Sequence, residues 1–164
     1  MMKAILTTVG MIVALVLPGA AQVGAKKEGD ARVQKLLDQA ELKSTIDNDG
    51  DYRLHNDVGD GRSQLIWILS NTSELRDLEI REVWSIAHKS RTPFDADVAN
   101  QLLAENCQTK IGAWQMRKMG EDFVAVFSAQ IAADTDFESL VTVIDAVATT
   151  ADNMEQELST GDDW

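Results

Sequence analysis

The chain has 164 residues, 45% of them apolar, and carries 15 Lys+Arg against 27 Asp+Glu for a formal net charge of −12; this is the composition of one globular domain. So acidic a balance argues against broad nucleic-acid binding, which needs cations clustered on phosphates, and against docking on an anionic membrane surface. A single cysteine excludes an intrachain disulfide and any zinc site built on several thiolates.

Residues 1–25 read as a cleaved signal peptide and leader. Lys3 supplies a short positive start, and residues 4–17 form an apolar run interrupted only by Thr7, Thr8 and Gly10. The run is short for a membrane span of about 20 residues, and Pro18 and Gly19 end it. Small residues then allow cleavage before Gln22 or before Lys26. The alternative is an uncleaved N-terminal anchor. A cleaved product is expected in the periplasm or outside the cell. Losing Lys3 takes away one cation and no acid, so the charge of −12 becomes −13.

A single domain is expected over residues 30–160. Val33, Leu36, Leu37 and Ala40 recur at helical spacing within 30–42. Tyr52 and Leu54 alternate with Arg53 and His55, as in a half-buried strand, and Val58-Gly59-Asp60-Gly61 is a turn. Residues 64–70 hold Leu65-Ile66-Trp67-Ile68-Leu69, apolar on both faces, which suits a central strand. Residues 73–89 are ambiguous. Leu75, Leu78, Val83, Ile86 and Ala87 fit a helical face, whereas Leu78, Ile80, Trp84 and Ile86 share one phase of a strand.

Thr92-Pro93-Phe94-Asp95 reads as a helix start with Thr92 as the cap, followed by an apolar face of Val98, Ala99, Leu102 and Leu103. Residues 110–118 and 123–132 read as strands joined by a turn at Met119-Gly120-Glu121-Asp122. In the second strand Phe123, Ala125, Phe127, Ala129 and Ile131 share a face. Thr135 and Glu138 read as a capping box. Phe137, Leu140, Val141, Ile144, Ala148, Ala151, Met154 and Leu158 then make one long apolar stripe. The tail from Ser159 to Trp164 is expected to fray. Helices apart from grouped strands indicate an α+β fold with a largely antiparallel sheet.

Several strings resemble one family: LLDQAELKSTIDNDGDYRL (36–54), ENCQTKIGAWQMRKMGEDFVAVFSAQIA (105–132) and the acidic closing helix from Asp136. The acid–glycine turns at Asp49-Gly50-Asp51 and Gly120-Glu121-Asp122, with Asn106 and Gly112, fall where that family has them. Glu105 stands where the family carries an aromatic residue. The chain thus resembles the YbjN-like domain family, labelled bacterial sensory-transduction regulators and similar in fold to type III secretion chaperones. The resemblance implies that residues 78–86 form a strand. The order becomes α-β-β-β-α-β-β-α, type III secretion chaperone-like, in a module that captures polypeptide and is dimeric.

Recognisable catalytic machinery is sparse. Counted from Asp47, positions 6 and 12 of a calcium loop fall on Tyr52 and Val58, so Asp47-Asn48-Asp49-Gly50-Asp51 reads as a turn. His55 and His88 lack ligand spacing and read as surface residues. Nucleophile-elbow, zincin and phosphate-loop motifs are missing. Cys107 reads as a small half-buried residue closing the middle helix, with a Cys–His nucleophile pair or an intermolecular disulfide as alternatives. Trp67, Trp84 and Trp114 lie on expected strands, either packing the sheet or forming an aromatic binding face. Trp164 is expected in a mobile tail. From Glu121 onward there are 11 Asp/Glu and no cation, a solvated acidic surface or one that selects a basic partner. No catalytic, cofactor-binding or metal-ligating residue is assigned. The expectation is an exported, non-catalytic, protein-binding or chaperone-like homodimer of the bacterial envelope, without nucleic-acid partner or stable membrane insertion. A small envelope enzyme or enzyme inhibitor is the alternative.

Overall fold

The computed structural model describes residues 27–159 and 161–164. The expected signal peptide over residues 1–25 lies outside the described residues. In chain order the elements are α1 (Ala31–Gln39), β1 (Thr45–Ile46), β2 (Tyr52–Gly59), β3 (Arg62–Ile68), β4 (Ser73–Leu75) and β5 (Leu78–Ser90). They continue with α2 (Ala96–Glu105), β6 (Ala113–Met119), β7 (Asp122–Ala132) and α3 (Phe137–Leu158). The strands form one sheet in the order β1-β2-β3-β5-β7-β6, with β4 hairpinned onto β5. Every ladder among the described residues is antiparallel. The fold is α+β, and it adds the short strands β1 and β4 to the expected order.

The three helices among the described residues pack on one sheet face. Val33 and Leu37 of α1, Leu102 of α2, and Leu140, Ile144, Val147, Ala148, Ala151 and Met154 of α3 share a single core. The sheet supplies Tyr52, Leu54, Ile66, Ile68, Val83, Ala125, Phe127 and Ala129 to it. The alternation expected in β2 is therefore the in–out period of a sheet covered on one side, whereas β7 is buried on both faces from Val124 to Ala129. On α3, Val143 and Val147 join the buried stripe, while Val141 is half-buried.

The ambiguous stretch 73–89 is resolved as a hairpin. β5 pairs β3 on one side and β7 on the other, from Ile80↔Ala132 to Ser90↔Phe123. A bulge between Ile86 and His88 shifts the register. This pairing decides a pattern that local periodicity left open.

Two helix caps differ from the sequence reading. Asp95, not Thr92, caps α2, its Oδ1 accepting from the Val98 N–H at 3.0 Å. Asp136, not Thr135, caps α3, its Oδ1 accepting from the Ser139 N–H at 2.7 Å. In both cases the charged oxygen one to three residues on outcompetes a threonine hydroxyl and meets the helix dipole. That backbone hydrogen bond from Ser139 also holds the Asp136 carboxyl below its ordinary pKa.

Two glycines are dictated by close approach. Gly50 has φ +89°, and a Cβ there would lie 2.9 Å from the Glu28 carbonyl oxygen. Gly112 has φ +79°, with the Ser128 carbonyl oxygen 2.7 Å from the same position. Asn106 caps the end of α2 and accepts the Trp114 N–H on Oδ1 at 2.6 Å, so the pair Asn106 and Gly112 steers α2 into β6.

Candidate functional site on the open sheet face

The face away from the helices carries a second, smaller cluster of Trp84, Ile86, Val124 and Val126, joined by Trp67, Leu69 and Trp164. No helical residue belongs to it. One cross-strand row runs over this face. Thr45 pairs Arg53, Arg53 pairs Trp67, Trp67 pairs Trp84, Trp84 pairs Ser128, and Ser128 pairs Ala113.

The centre of the row is aromatic. The Trp67 and Trp84 rings stack with centroids 4.3 Å apart and planes 2° from parallel. The Arg117 guanidinium lies 5.7 Å from the Trp84 ring centroid. Arg117 pairs with Glu82, which also accepts from the Ser128 hydroxyl. Gln115 fixes Arg117 through a 2.7 Å bond to its Oε1. Trp84 is consequently only 6% exposed, whereas Trp67 is half-buried. Stacking between a ring and a guanidinium gives this face a stiff apolar centre with polar ends. Trp114 differs: it points into the helical core and meets Phe127 edge-on at 5.2 Å.

The tail does not fray at its end. The Trp164 carbonyl accepts from the Leu65 N–H at 3.1 Å, and Asp163 N–H donates to Glu155 Oε1 at 2.7 Å. Lys89 Nζ lies 5.9 Å from the Trp164 ring centroid. The physical reason is that the indole finds apolar partners in the second cluster, and the β3–β5 ladder stops at Ile66↔Ser85, which leaves Leu65 N–H free to bond the tail.

Two arginines hold carboxylates on the helical side. Arg81 is 1% exposed. It donates to Asp30 Oδ2 at 2.5 Å and to the Leu69 and Ser70 carbonyls. Asp30 in turn caps α1 and binds Arg32, whose hydrogen bonds, with help from Arg81, hold its carboxyl well below the usual range. Arg62 bonds Asp152 Oδ1 at 2.6 Å and Glu155 Oε2 at 3.3 Å, and lies 3.5 Å from Asp162. Glu155 is 0% exposed, and burial pushes its pKa up. The Asp152, Glu155 and Asp162 oxygens converge as metal ligands would, but the cation among them is the chain's own guanidinium.

The remaining residues singled out in the sequence are scattered. Asp47 Oδ1 accepts the N–H groups of Asp49 and Asp51 at 2.9 and 3.1 Å, and Asp51 accepts the Ser70 N–H at 2.8 Å, so these acids shape the turn. His55 is exposed on β2, on the open face. His88 is half-buried rather than on the surface, because its ring packs against Phe94 at 5.5 Å. Cys107 is exposed rather than half-buried, since α2 ends at Glu105 and leaves it in the following turn. Phe94 precedes α2 and Cys107 follows it, so about 15 Å of helix separates Cys107 from His88. Arg53, Glu82 and Arg117 were not singled out by sequence reasoning; their signal was charged residues in phase with strand tryptophans.

No family model matches the chain, and no curated protein matches its sequence.

Proposed function

We propose that this protein is an exported, non-catalytic polypeptide-binding module of the bacterial envelope, YbjN-like in family and related in fold to type III secretion chaperones. The observation that carries the reading is the division of labour across the sheet. Every helix covers one face, and the other offers the stacked Trp67–Trp84 pair with Arg53 and Arg117 beside it. Rigid aromatics flanked by arginine bind polypeptide at low entropic cost, because few rotamers are lost. The module acts as a homodimer. β6 supports this as the surface for a second copy: it pairs only with β7, and Met116 and Met119 are 53% and 41% exposed.

The test uses reduced, carboxymethylated lactalbumin as an unfolded probe and fluorescence anisotropy as the readout. Saturable binding that falls at least tenfold in Trp67→Ala, with an unchanged unfolding temperature, is expected. Equal binding by wild type and variant, or none, removes the reading. Sedimentation of the protein at several salt concentrations tests the dimer, and a monomer at tens of micromolar removes it. Intact mass from the native host tests export; a product retaining residues 1–21 removes it.

A further inference from the structure

A cavity of about 300 Å³ opens at the β1 edge of the sheet, lined by Lys43, Ser44, Thr45, Arg53, His55 and Leu65. No carboxylate lines it. That is unusual in a chain with 27 acids and 15 Lys+Arg. Among the described arginines, Arg32, Arg62, Arg81, Arg91 and Arg117 have carboxylate partners, whereas Arg53 and the exposed Arg76 have none, and Lys43 is one of several unpaired lysines. Arg53 is half-buried, and its Nε is fully buried with no hydrogen-bond partner. A buried guanidinium N–H without an acceptor is costly, and the sequence has acids enough to have supplied one. To an incoming acceptor the lining offers the Arg53 guanidinium, whose terminal nitrogens remain as donors beyond the buried Nε, with two hydroxyls and an ammonium group.

Resting on the polypeptide-binding reading above, we infer that this cavity is an oxyanion subsite, and that the oxyanion it takes is a side-chain carboxylate of the bound polypeptide. The row across the sheet sets what lies beside that carboxylate. Arg53 pairs Trp67, and Trp67 pairs Trp84. Strands stand about 4.8 Å apart, so from Arg53 to Trp84 is roughly 10 Å, or about three residues of extended chain. The segment recognised is therefore an acid followed about three positions later by an apolar residue that rests on the indole pair. The acids of α3 do not oppose this. Asp145, Asp152, Glu155 and Glu157 lie on α3, behind the opposite face. Selection of a basic partner, if it occurs, belongs to that helical surface, and the sheet face has the contrary preference.

The experiment is titration of the full chain with three probes, read by its intrinsic tryptophan emission. The probes are a blocked ten-residue Ser/Gly peptide carrying Glu three positions before Leu, the same peptide with Gln for Glu, and inorganic phosphate. The Glu peptide is expected to shift the emission saturably. The Gln peptide should bind at least tenfold more weakly, and phosphate should compete with the Glu peptide. Arg53→Gln should bring the Glu peptide to the level of the Gln peptide without lowering the unfolding temperature. The exposed Lys43→Gln, which carries no folding burden, should weaken it severalfold. Equal binding of the two peptides that is also indifferent to Arg53→Gln overturns the subsite and leaves the polypeptide reading standing. Arg53-dependent binding of phosphate with no signal from either peptide overturns the carboxylate assignment and the polypeptide reading together. Failure of all three probes on the wild-type chain overturns the whole inference.

Discussion

Arg81 and Arg62 both reach from the sheet to carboxylates, yet the two networks are built on different balances of charge. Arg81 meets one carboxylate, Asp30, and spends its other donors on backbone carbonyls. Arg62 meets three, Asp152, Glu155 and Asp162. In the first network the charges balance, two guanidiniums against two carboxylates, because Asp30 also holds Arg32 and Arg32 pairs with Glu79; hydrogen bonds from Arg32 hold the Asp30 carboxyl below its ordinary value. In the second, negative charge is in excess, and burial of the deepest member, Glu155, raises its pKa. The same ion-pair chemistry thus stabilises the folded chain at one end of the sheet in its ionised form and at the other in its protonated form.

The comparison breaks most sharply at Arg81. Arg81→Met leaves Asp30 short of its buried partner and two carbonyls without donors, and is expected to cost about 3–5 kcal/mol in urea unfolding at neutral pH. Arg62→Met should cost less at neutral pH, since Arg62 keeps one side toward water. Its loss should also shrink as pH falls through the raised pKa of Glu155, which then carries a proton instead of meeting a guanidinium. A pH-independent loss would show that Arg62 acts through packing alone.

Acid titration sharpens the same contrast with smaller effects. Asp30 has a folded pKa below its unfolded value of 3.8, so its contribution is complete above pH 3.8 and is lost as pH falls toward the folded value. Glu155 has a folded pKa above 4.5, so its contribution is complete below pH 4.5 and is lost as pH rises through the folded value. Glu155→Gln is therefore expected to flatten the stability profile above pH 4.5, and Asp30→Asn to flatten it below pH 3.8; urea midpoints at half-unit pH intervals check both. The smallest effect is expected at Arg91, which is 72% exposed and pairs with the still more exposed Glu121 and with Asp122. Arg91→Ala should leave stability within about 0.5 kcal/mol of wild type, and less at high salt.

Much of the fold could be read along the chain wherever a local period had one physical cause. α1, β2 and α3 follow from apolar residues at spacings of 3.6 or 2, because one side of each element is covered, and β3 follows from a run apolar on both faces. Caps were legible to within a few residues, and the exact residue was decided by which side-chain oxygen reached the N–H groups first. The candidate site was legible only in part. Three strand tryptophans stood out, but nothing local separates Trp114, buried under the helices, from Trp67 and Trp84 on the other face. Arg53 looked like an ordinary solvent-facing residue.

What the sequence determined by itself is the α+β class, the turns at Gly50 and Gly120, and the apolar stripe of α3, since each rests on neighbours a few residues apart. Tertiary structure alone decided that residues 78–90 are a strand, that Trp164 docks beside Lys89, and that Arg53 faces a cavity with no acid in it. Those outcomes depend on ladders and ion pairs between residues tens of positions apart. No local propensity encodes which partner, or which missing partner, a side chain meets when the sheet closes.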